Sequence, residues 1–436
     1  MANVSVSSSA TTSETSGSYT GPLAIVTTLF FMWGFLTCLN DILVPHLKSI
    51  FDLSYARVML IQFAFFGAYF IFSIPSAKII DWIGYQRSMV LGLLMMGLGA
   101  FLFVPAASVP SYPLFLGALI VLAAGITCLQ VAANPYVTVL GRPETASSRL
   151  NLTQAFNSLG TFLAPFFGGL LILSAAPKAM EEIRAMAPDA LQAYRLHEAA
   201  TVKTPYVGLG IALVVLAVAI GLSKLPKIEH AQHKVGEKVN DSIWNHPNLI
   251  FGAIAIFVYV GAEVSIGSFL VNYFTQSEIG GLTERVAASF VAFYWGGAMV
   301  GRFIGSGLLQ KVKTGKLLGI CAICTAGLVA ISMLTTGHVA MWSIILVGFF
   351  NSIMFPSIFT LGVAELGPLT GDGSGIMIMA IVGGAIIPLA QGWIADKIGI
   401  HHAFFLPVIC YLYILFFALS GSKPNSERAT QSPAAL

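Results

Sequence analysis

Long runs of apolar residues recur along this chain, and they constrain its fold more than any other feature. Each run is about 20 residues long, enough for a helix to cross the roughly 30 Å hydrocarbon core of a bilayer. Only 9% of the residues are charged, whereas soluble domains carry about 25%. The sequence therefore predicts an all-α membrane protein with twelve transmembrane helices. These helices, spans 1 to 12, are predicted over residues 22–44, 56–80, 88–107, 112–140, 150–174, 205–224, 248–275, 285–310, 316–336, 339–364, 374–395 and 401–420.

Short matches between distant segments indicate an internal duplication. The matching pairs occur in the same order in each half of the chain and are separated by 221 to 229 residues. The duplication predicts two six-helix halves joined by a charged linker. The pairs are AFFG (64–67) with FYWG (293–296), NPYVTVLG (134–141) with FPSIFTLG (355–362), and APFFGGLLI (164–172) with IPLAQGWIA (387–395). The predicted division is a disordered tail at 1–21, a first six-helix bundle at 22–224, a cytoplasmic linker at 225–247, a second six-helix bundle at 248–420 and a C-terminal tail at 421–436.

The distribution of basic residues predicts the orientation in the membrane. More of the 22 Lys and Arg residues fall on the side of the two termini than on the other side, and basic loops tend to remain cytoplasmic. The first 20 residues contain no Lys or Arg, which differs from a cleaved signal peptide. We therefore expect a multi-pass protein of the inner (cytoplasmic) membrane with both termini in the cytoplasm. The net charge of +3 gives no indication of nucleic-acid binding.

Two carboxylates lie inside predicted spans. Asp41 follows Asn40 near the far end of span 1, and Glu263 lies within span 7. An unpaired carboxylate at the bilayer centre costs about 2.5 kcal/mol or more, so residues of this kind usually serve a function. For Asp41 the alternatives are a capping or packing role beside Pro45, or a place in a sodium site.

Amide and aromatic side chains recur at helical spacing in the same spans. Each amide alone could be a hydrogen bond between helices. Together they predict one polar cavity, because an amide both donates and accepts and so suits a neutral polyhydroxylated ligand. The candidate substrate-binding residues are Asn40, Gln130, Asn134, Gln154, Asn157, Glu263, Asn272, Trp295 and Asn351.

Several classes of protein are excluded by motifs that the sequence lacks. There is no phosphate loop of an ATP-driven pump and no H-E-x-x-H or G-x-S-x-G motif of a hydrolase. Cys321 and Cys324 lie in an apolar helix, where packing is the better interpretation than a metal or redox site. We therefore expect no enzyme activity, no cofactor and no metal. Two halves around a central polar site are the layout of alternating-access transport.

Five motifs carry a resemblance to known families. The segment SAKIIDWIGYQR between spans 2 and 3 resembles the loop signature of the major facilitator superfamily, with Trp82 where that signature has a basic residue. CLNDIL, AANPYVTVLG, RLNLTQAFNSLG and TPY together look like the L-fucose/proton symporter family, most closely its glucose/galactose and N-acetylglucosamine transporter branch. The resemblance covers residues 22–420 and implies the major facilitator fold of two six-helix halves.

The resemblance also implies roles for individual residues. Asp41 matches an aspartate of span 1 that is tied to proton coupling, and Gln154 and Asn157 match amides that line the sugar cavity. Gln130 stands where the fucose transporter has a glutamate, whereas Glu263 stands where that transporter has a glutamine. Asp41 and Glu263 are therefore the candidate cation-coupling residues.

These observations together predict a monomeric secondary transporter. It is expected to import a neutral hexose of the glucose, galactose or mannose type with a cation, taken here as a proton. The alternatives are N-acetylglucosamine or another sugar as substrate, sodium as the coupling ion, a drug or polyol exporter, and a non-transporting sugar sensor.

Overall fold

The fold consists of helices that cross a membrane. The computed structural model describes residues 19–51, 55–109, 111–171, 186–201, 203–228 and 241–424. Within these ranges it does not describe the side chains of residues 37, 39–51, 55–60, 62, 165–171, 195 and 198–201. The described residues contain no β-strand, and each of the twelve predicted spans coincides with helix.

In the described residues, the first half contains spans 1 to 6 and one further helix of 14 residues, too short to cross a bilayer. Span 1 is longer than predicted at both ends, and spans 2 and 3 form one nearly continuous helical segment. The Pro188–Thr201 helix lies between spans 5 and 6. The helices are Thr20–Phe51 (span 1), Tyr55–Ser108 (spans 2 and 3), Tyr112–Val139 (span 4), Ala146–Leu171 (span 5), Pro188–Thr201 and Lys203–Leu222 (span 6).

The second half contains spans 7 to 12, and its last three spans are interrupted. The helices are Pro247–Phe274 (span 7), Glu284–Leu308 (span 8), Thr314–Leu334 (span 9), Gly337–Asn351 with Met354–Gly362 (span 10), Thr370–Met379 with Gly383–Ile398 (span 11), and Ile400–Ala403 with Phe405–Phe416 (span 12). A 3₁₀ turn over Ala380–Val382 joins the two parts of span 11.

Gly84 turns the chain between spans 2 and 3. The 54-residue segment would be roughly 80 Å long as one straight helix, far more than a bilayer is thick. Gly84 interrupts it with φ 81° and ψ 167°, a conformation that glycine adopts at little steric cost. The chain therefore reverses there and span 3 returns across the membrane.

A proline explains the interruption of span 10, which was predicted as a single helix over 339–364. Pro356 has no N–H to donate to the carbonyl of Ser352 four residues earlier. The first helix of the span ends at Asn351 and the second begins at Met354. The break leaves backbone carbonyls in the middle of the span without intrahelical donors, so they can accept hydrogen bonds from side chains.

The contacts between helices repeat from one half to the other. Span 1 packs on span 5 as span 7 packs on span 11, and span 3 packs on span 6 as span 9 packs on span 12. Between the halves, span 2 packs on span 11 and span 5 packs on span 8. This repetition is that of two six-helix halves related by an approximate two-fold axis. The exact boundaries of the halves and of the linker stay predictions.

Equivalent glycines bring the backbones of two helix pairs into contact. Gly160 in span 5 and Gly383 in span 11 are 223 residues apart. A Cβ atom on Gly160 would lie 2.2 Å from the carbonyl oxygen of Phe31 in span 1. A Cβ atom on Gly383 would lie 2.0 Å from the carbonyl oxygen of Phe257 in span 7. Small residues at such crossings allow close helix packing in membranes.

We expect Gly383→Leu to lower the melting temperature of the purified protein strongly. The added side chain would have to push span 11 away from span 7, and overpacking of this kind costs about 1–3 kcal/mol or more. The control is Gly327→Leu in span 9, where a Cβ atom meets nothing within 4 Å. Thermal unfolding in detergent measures both variants, and equal melting temperatures would contradict the predicted contact.

Candidate functional site

The first half presents a buried amide to the centre of the protein on span 4. The Nε2 atom of Gln130 donates a hydrogen bond of 2.7 Å to the hydroxyl of Tyr69 in span 2. The Trp33 side chain of span 1 lies within hydrogen-bonding reach of the same hydroxyl. Gln130 is 1% exposed, and its Oε1 atom has no hydrogen-bond partner among the described residues.

Asn134 lies one turn from Gln130 on the same helix face. It is fully buried, and neither polar atom of its side chain has a hydrogen-bond partner in the part of the chain that the structure describes. A buried amide without partners is costly. Asn134 therefore has hydrogen-bonding capacity that water or a ligand can use.

Span 5 contributes two amides that differ in their partners. The Nε2 atom of Gln154 is buried and makes no hydrogen bond to any described residue. The Nδ2 atom of Asn157 instead donates a hydrogen bond of 2.9 Å to the backbone carbonyl of Phe30 in span 1. That hydrogen bond lies where spans 1 and 5 cross closely. The Nδ2 donor of Asn157 is therefore used to join the two helices.

Glu263 and Asn351 belong to one hydrogen-bond network in the second half. The Tyr259 hydroxyl lies 2.7 Å from Oε1 of Glu263 and 3.1 Å from the backbone oxygen of Asn351, and its one proton can serve either acceptor. The Nδ2 atom of Asn351 donates a hydrogen bond of 3.0 Å to the Tyr294 hydroxyl. The Tyr411 hydroxyl lies beside this amide but makes no hydrogen bond within the described residues.

The two halves use an amide in the same way. Gln130 and Asn351 are 221 residues apart, the spacing of the duplication. Each donates from its amide nitrogen to a tyrosine, Tyr69 in span 2 and Tyr294 in span 8. Each is left with a buried carbonyl oxygen that has no partner among the described residues. Gln130 and Asn351 thus form an equivalent pair of acceptors, one in each half, that no described residue uses.

Trp295 and Asn272 lie at different distances from Glu263. The indole of Trp295 packs against Gly267 of span 7, where a Cβ atom would lie 3.0 Å from the ring. Gly267 lies one helical turn from Glu263 on the same face of span 7. Asn272 is exposed and follows Glu263 by nine residues. Nine residues correspond to about 14 Å and to opposite faces of a helix. The structure therefore does not bring Asn272 together with Glu263, because the spacing places them on opposite faces.

Asn40 and Asp41 lie outside the residues whose side chains the structure describes. Their backbone belongs to the span 1 helix. Their predicted roles therefore stay predictions.

Arg302 links the network of the second half to span 5 of the first. Its Nη1 atom donates to the hydroxyl of Ser158 and, at 3.4 Å, to the backbone oxygen of Gln154. Its Nε atom donates at 3.2 Å to the carbonyl of Ser352, the group that Pro356 leaves without an intrahelical donor.

Hydrogen bonds and an ion pair close one end of the interface between the halves. The closed end lies on the side where the described chain begins and ends, which we call the termini side. We call this set of contacts the termini-side gate. Its contacts are Lys78 with Asp372 (2.8 Å), Ser147 with Thr360 (2.6 Å), Ser148 with the Ser306 carbonyl (2.7 Å), Asn151 with the Arg302 carbonyl (2.7 Å), Ser374 with the Val131 carbonyl (2.8 Å), and Arg302 with Ser158.

Sequence reasoning missed several members of the site. Tyr69 and Tyr259 were not candidates, because a tyrosine in an apolar span resembles ordinary packing. Arg302 was not a candidate either, although its hydrogen bond to Ser158 shows that its side chain reaches span 5 of the other half. The proline in span 10 was the one available signal, since it predicts a free carbonyl at Ser352 that needs a donor.

The site can bind a neutral polar molecule. Its polar atoms are mostly amides and hydroxyls with unfilled hydrogen-bonding capacity, and aromatic rings lie beside them. Within the described ranges, no group of three His, Cys, Asp or Glu side chains could hold a metal ion.

Comparisons with known proteins agree with this architecture. The family model described as Major Facilitator Superfamily matches residues 24–381. A glucose/galactose transporter of Brucella abortus is 54% identical over 401 residues, covering 92% of this chain and 94% of that protein. The L-fucose-proton symporter of Escherichia coli is 37% identical, covering 94% of each chain. The crystal structure of the transporter FucP in the outward conformation superimposes with a TM-score of 0.85 at 35% identity, covering 93% of this chain and all of that one.

Proposed function

The chain belongs to the Major Facilitator Superfamily, and we propose that it imports a neutral hexose together with a cation by alternating access. The observation that carries the proposal is the pair of equivalent buried amides, Gln130 and Asn351, whose oxygens have no hydrogen-bond partner among the described residues. We propose that sugar hydroxyls donate to these oxygens. Relatives named for glucose and galactose support a hexose as the substrate.

A proton is the cation that we propose. Two carboxylates, Asp41 and Glu263, lie in helices whose surroundings are mostly apolar, and each can carry one proton. The relatives named L-fucose-proton symporter support this choice. Bacterial relatives and the basic termini side support a place in the inner membrane with both termini in the cytoplasm. We also propose that the protein acts as a monomer, because a single chain supplies both halves of the site.

The transport cycle follows from the position of the termini-side gate. With that gate closed, a sugar reaches the amides from the opposite side of the membrane. The halves then close around it, and the gate contacts break so that the sugar leaves on the termini side. Each gate contact joins a donor of one half to an acceptor of the other, so all can break in a single rocking motion.

The test is exchange of labelled glucose across the membrane of proteoliposomes that contain the purified protein. We expect unlabelled glucose inside to drive uptake of the label. Galactose, mannose, N-acetylglucosamine and fucose are then added as competitors, and imposed proton and sodium gradients are compared for accumulation. An absence of exchange with every sugar of the panel would contradict a sugar transporter. Accumulation driven by a sodium gradient alone would show that sodium, and not the proton, is the coupling ion.

We expect Gln130→Ala and Asn351→Ala each to raise the half-saturating sugar concentration by about tenfold. Each substitution removes one acceptor from a buried sugar hydroxyl, and an unpaired buried group costs about 1–3 kcal/mol. The measurement is concentration-dependent counterflow. The control is Ser343→Ala, which removes an exposed hydroxyl bonded only to the carbonyl of its own helix. Unchanged sugar affinity in both variants would contradict the proposal that the Gln130 and Asn351 oxygens bind the sugar.

A further inference from the structure

A cavity of about 840 Å³ lies between the halves on the termini side, apart from the amides of the candidate sugar site. One of its walls belongs to the loop before span 5 in the first half. The other walls belong to the start of span 9 and the ends of spans 10 and 12 in the second half. Ser147 and Thr360, which form a contact of the termini-side gate, also line it. The cavity is therefore complete only while that gate is closed.

Lysine side chains give one end of the cavity a positive charge. Lys313 and Lys316 are exposed and make no ion pair within the described residues. Lys423 adds a third positive charge, whereas Glu144 and Glu365 add two negative charges. Three lysines and two glutamates leave the lining with one net positive charge. The cavity therefore favours a ligand with one negative charge.

The rest of the cavity wall is apolar and continues into the membrane. Ile320 and Ile323 of span 9 and Leu419 of span 12 are exposed there. Ile323 follows Lys313 by ten residues, about 15 Å along a helix and about half the thickness of the hydrocarbon core. Gly319 lines the same wall without a side chain of its own. The cavity thus joins a basic end at the membrane surface to an apolar wall as deep as one leaflet.

We propose that this cavity binds one anionic phospholipid of the termini-side leaflet. Lys313 and Lys316 hold its phosphate, and an acyl chain lies along Ile320, Ile323 and Leu419. Basic pockets between transmembrane helices recognise phospholipid headgroups in this way. A soluble anion would match only the lysines, and an acyl chain alone would match only the apolar wall. A phospholipid matches both parts of one continuous cavity.

The charge of the lining selects among phospholipids. Phosphatidylglycerol carries one negative charge, which balances the one net positive charge of the cavity. Phosphatidylethanolamine and phosphatidylcholine carry no net charge and would leave the excess positive charge unbalanced. The ligand class is therefore a phospholipid whose phosphate is its only charged group.

Binding of this lipid stabilises the closed gate. Glu144 and Ser147 of the first half border the same cavity as Lys313 and Thr360 of the second half, so opening of the gate divides the site. A ligand that binds only the closed arrangement shifts the equilibrium toward it. This consequence rests on the proposed alternating access, whereas the lipid site itself does not. The lipid would thus regulate transport from outside the sugar site.

The binding experiment uses the full chain, purified in detergent and stripped of lipid, with fluorescent phosphatidylglycerol as the probe. We expect saturable binding and competition about tenfold weaker from phosphatidylethanolamine and phosphatidylcholine. Glycerol phosphate and a free fatty acid each carry one part of the lipid and should compete weakly. Equal competition by glycerol phosphate would overturn the lipid and indicate a site for soluble phosphates. Equal competition by either uncharged lipid would overturn the selection for an anionic one.

Substitutions locate the bound lipid within the cavity. Lys313→Gln and Lys316→Gln are each expected to weaken the binding of phosphatidylglycerol about fivefold. The matched control is Lys311→Gln, which removes an exposed charge from the same loop but outside the cavity lining. Gly319→Leu is expected to abolish binding by filling the apolar part of the cavity. Its control is Gly327→Leu, about two turns further along span 9, where a Cβ atom meets nothing within 4 Å.

The effect on the gate is measured with spin labels at Arg142→Cys and Lys311→Cys, exposed positions of opposite halves outside the cavity lining. The five native cysteines are replaced by alanine. The distance between the labels gives the closed fraction in vesicles of phosphatidylcholine with and without phosphatidylglycerol. We expect phosphatidylglycerol to raise the closed fraction, and Lys313→Gln combined with Lys316→Gln to remove this effect.

Three results would overturn the lipid site: wild-type binding in the double lysine variant, wild-type binding in Gly319→Leu, and weakening in Lys311→Gln equal to that in the cavity variants. The lysine variants change no packed side chain, so they test the site even if Gly319→Leu fails to fold. Lipid binding without a change in the closed fraction would overturn the effect on the gate. Failure of the proposed sugar transport shows up separately as absent counterflow, because the lipid measurements contain no sugar.

Discussion

Asp41→Asn is expected to abolish gradient-driven accumulation of sugar while preserving sugar binding and exchange. Aspartate can take up and release one proton in each cycle, whereas asparagine cannot. The two side chains are of equal size, and asparagine imitates the neutral acid in its hydrogen bonds. Counterflow involves no net movement of protons, so a neutral residue supports it. Accumulation requires the proton to travel with the sugar, and the variant should show none.

The measurement compares proton-driven accumulation with counterflow in the same proteoliposomes. Asp41 follows the first residue of span 1 by 21 residues, about 30 Å along the helix, whereas Glu263 follows the start of span 7 by 16 residues, about 24 Å. The two carboxylates therefore lie at different depths. Glu263→Gln in the same assay distinguishes their contributions. Accumulation at the wild-type rate in Asp41→Asn would show that this carboxylate couples nothing, and Glu263 would become the next candidate.

The sequence predicted the helices well because lipid leaves the backbone few choices. A segment that crosses a bilayer must satisfy its hydrogen bonds internally, so each apolar run of about 20 residues becomes a helix. The boundaries were less accurate. Span 1 extends to Phe51 although Pro45 lies within it, and the turn at Gly84 is a single residue where a loop was expected. The loop signature itself contains the glycine that makes the turn.

The site was predicted less completely, because apolar spans give no clue to the direction in which a polar side chain points. Gln130 and Asn351 are joined to tyrosines from other spans, which no spacing within one helix reveals. Glu263 is instead joined to Tyr259, one turn earlier in its own span. Asn157 and Gln154 share a face of span 5, yet Asn157 donates to span 1 whereas the amide nitrogen of Gln154 has no partner among the described residues. Asn272 is exposed and follows Glu263 by nine residues, and its place in the predicted cavity stays a prediction.

A disulfide bond across the termini-side gate is expected to stop sugar exchange completely. The Ser147 and Thr360 hydroxyl oxygens are 2.6 Å apart, and the two residues belong to opposite halves. Cysteines at both positions are close enough for oxidation to join them. The joined halves could not separate on the termini side, so a bound sugar would have no exit there. Counterflow should fall to background on oxidation and return when a reductant cleaves the bond.

The same variant tests the order of events in the cycle. Because the gate is closed in this structure, the cross-linked protein should still bind sugar from the opposite side, as measured by equilibrium binding to the purified protein. Ser147→Cys and Thr360→Cys alone serve as controls and should exchange sugar equally well with and without oxidant. The native cysteines are replaced in all three proteins. If the cross-linked protein exchanged sugar at the rate of its reduced form, the closed contacts would not be a gate, and the proposed rocking of two halves about the site would be wrong.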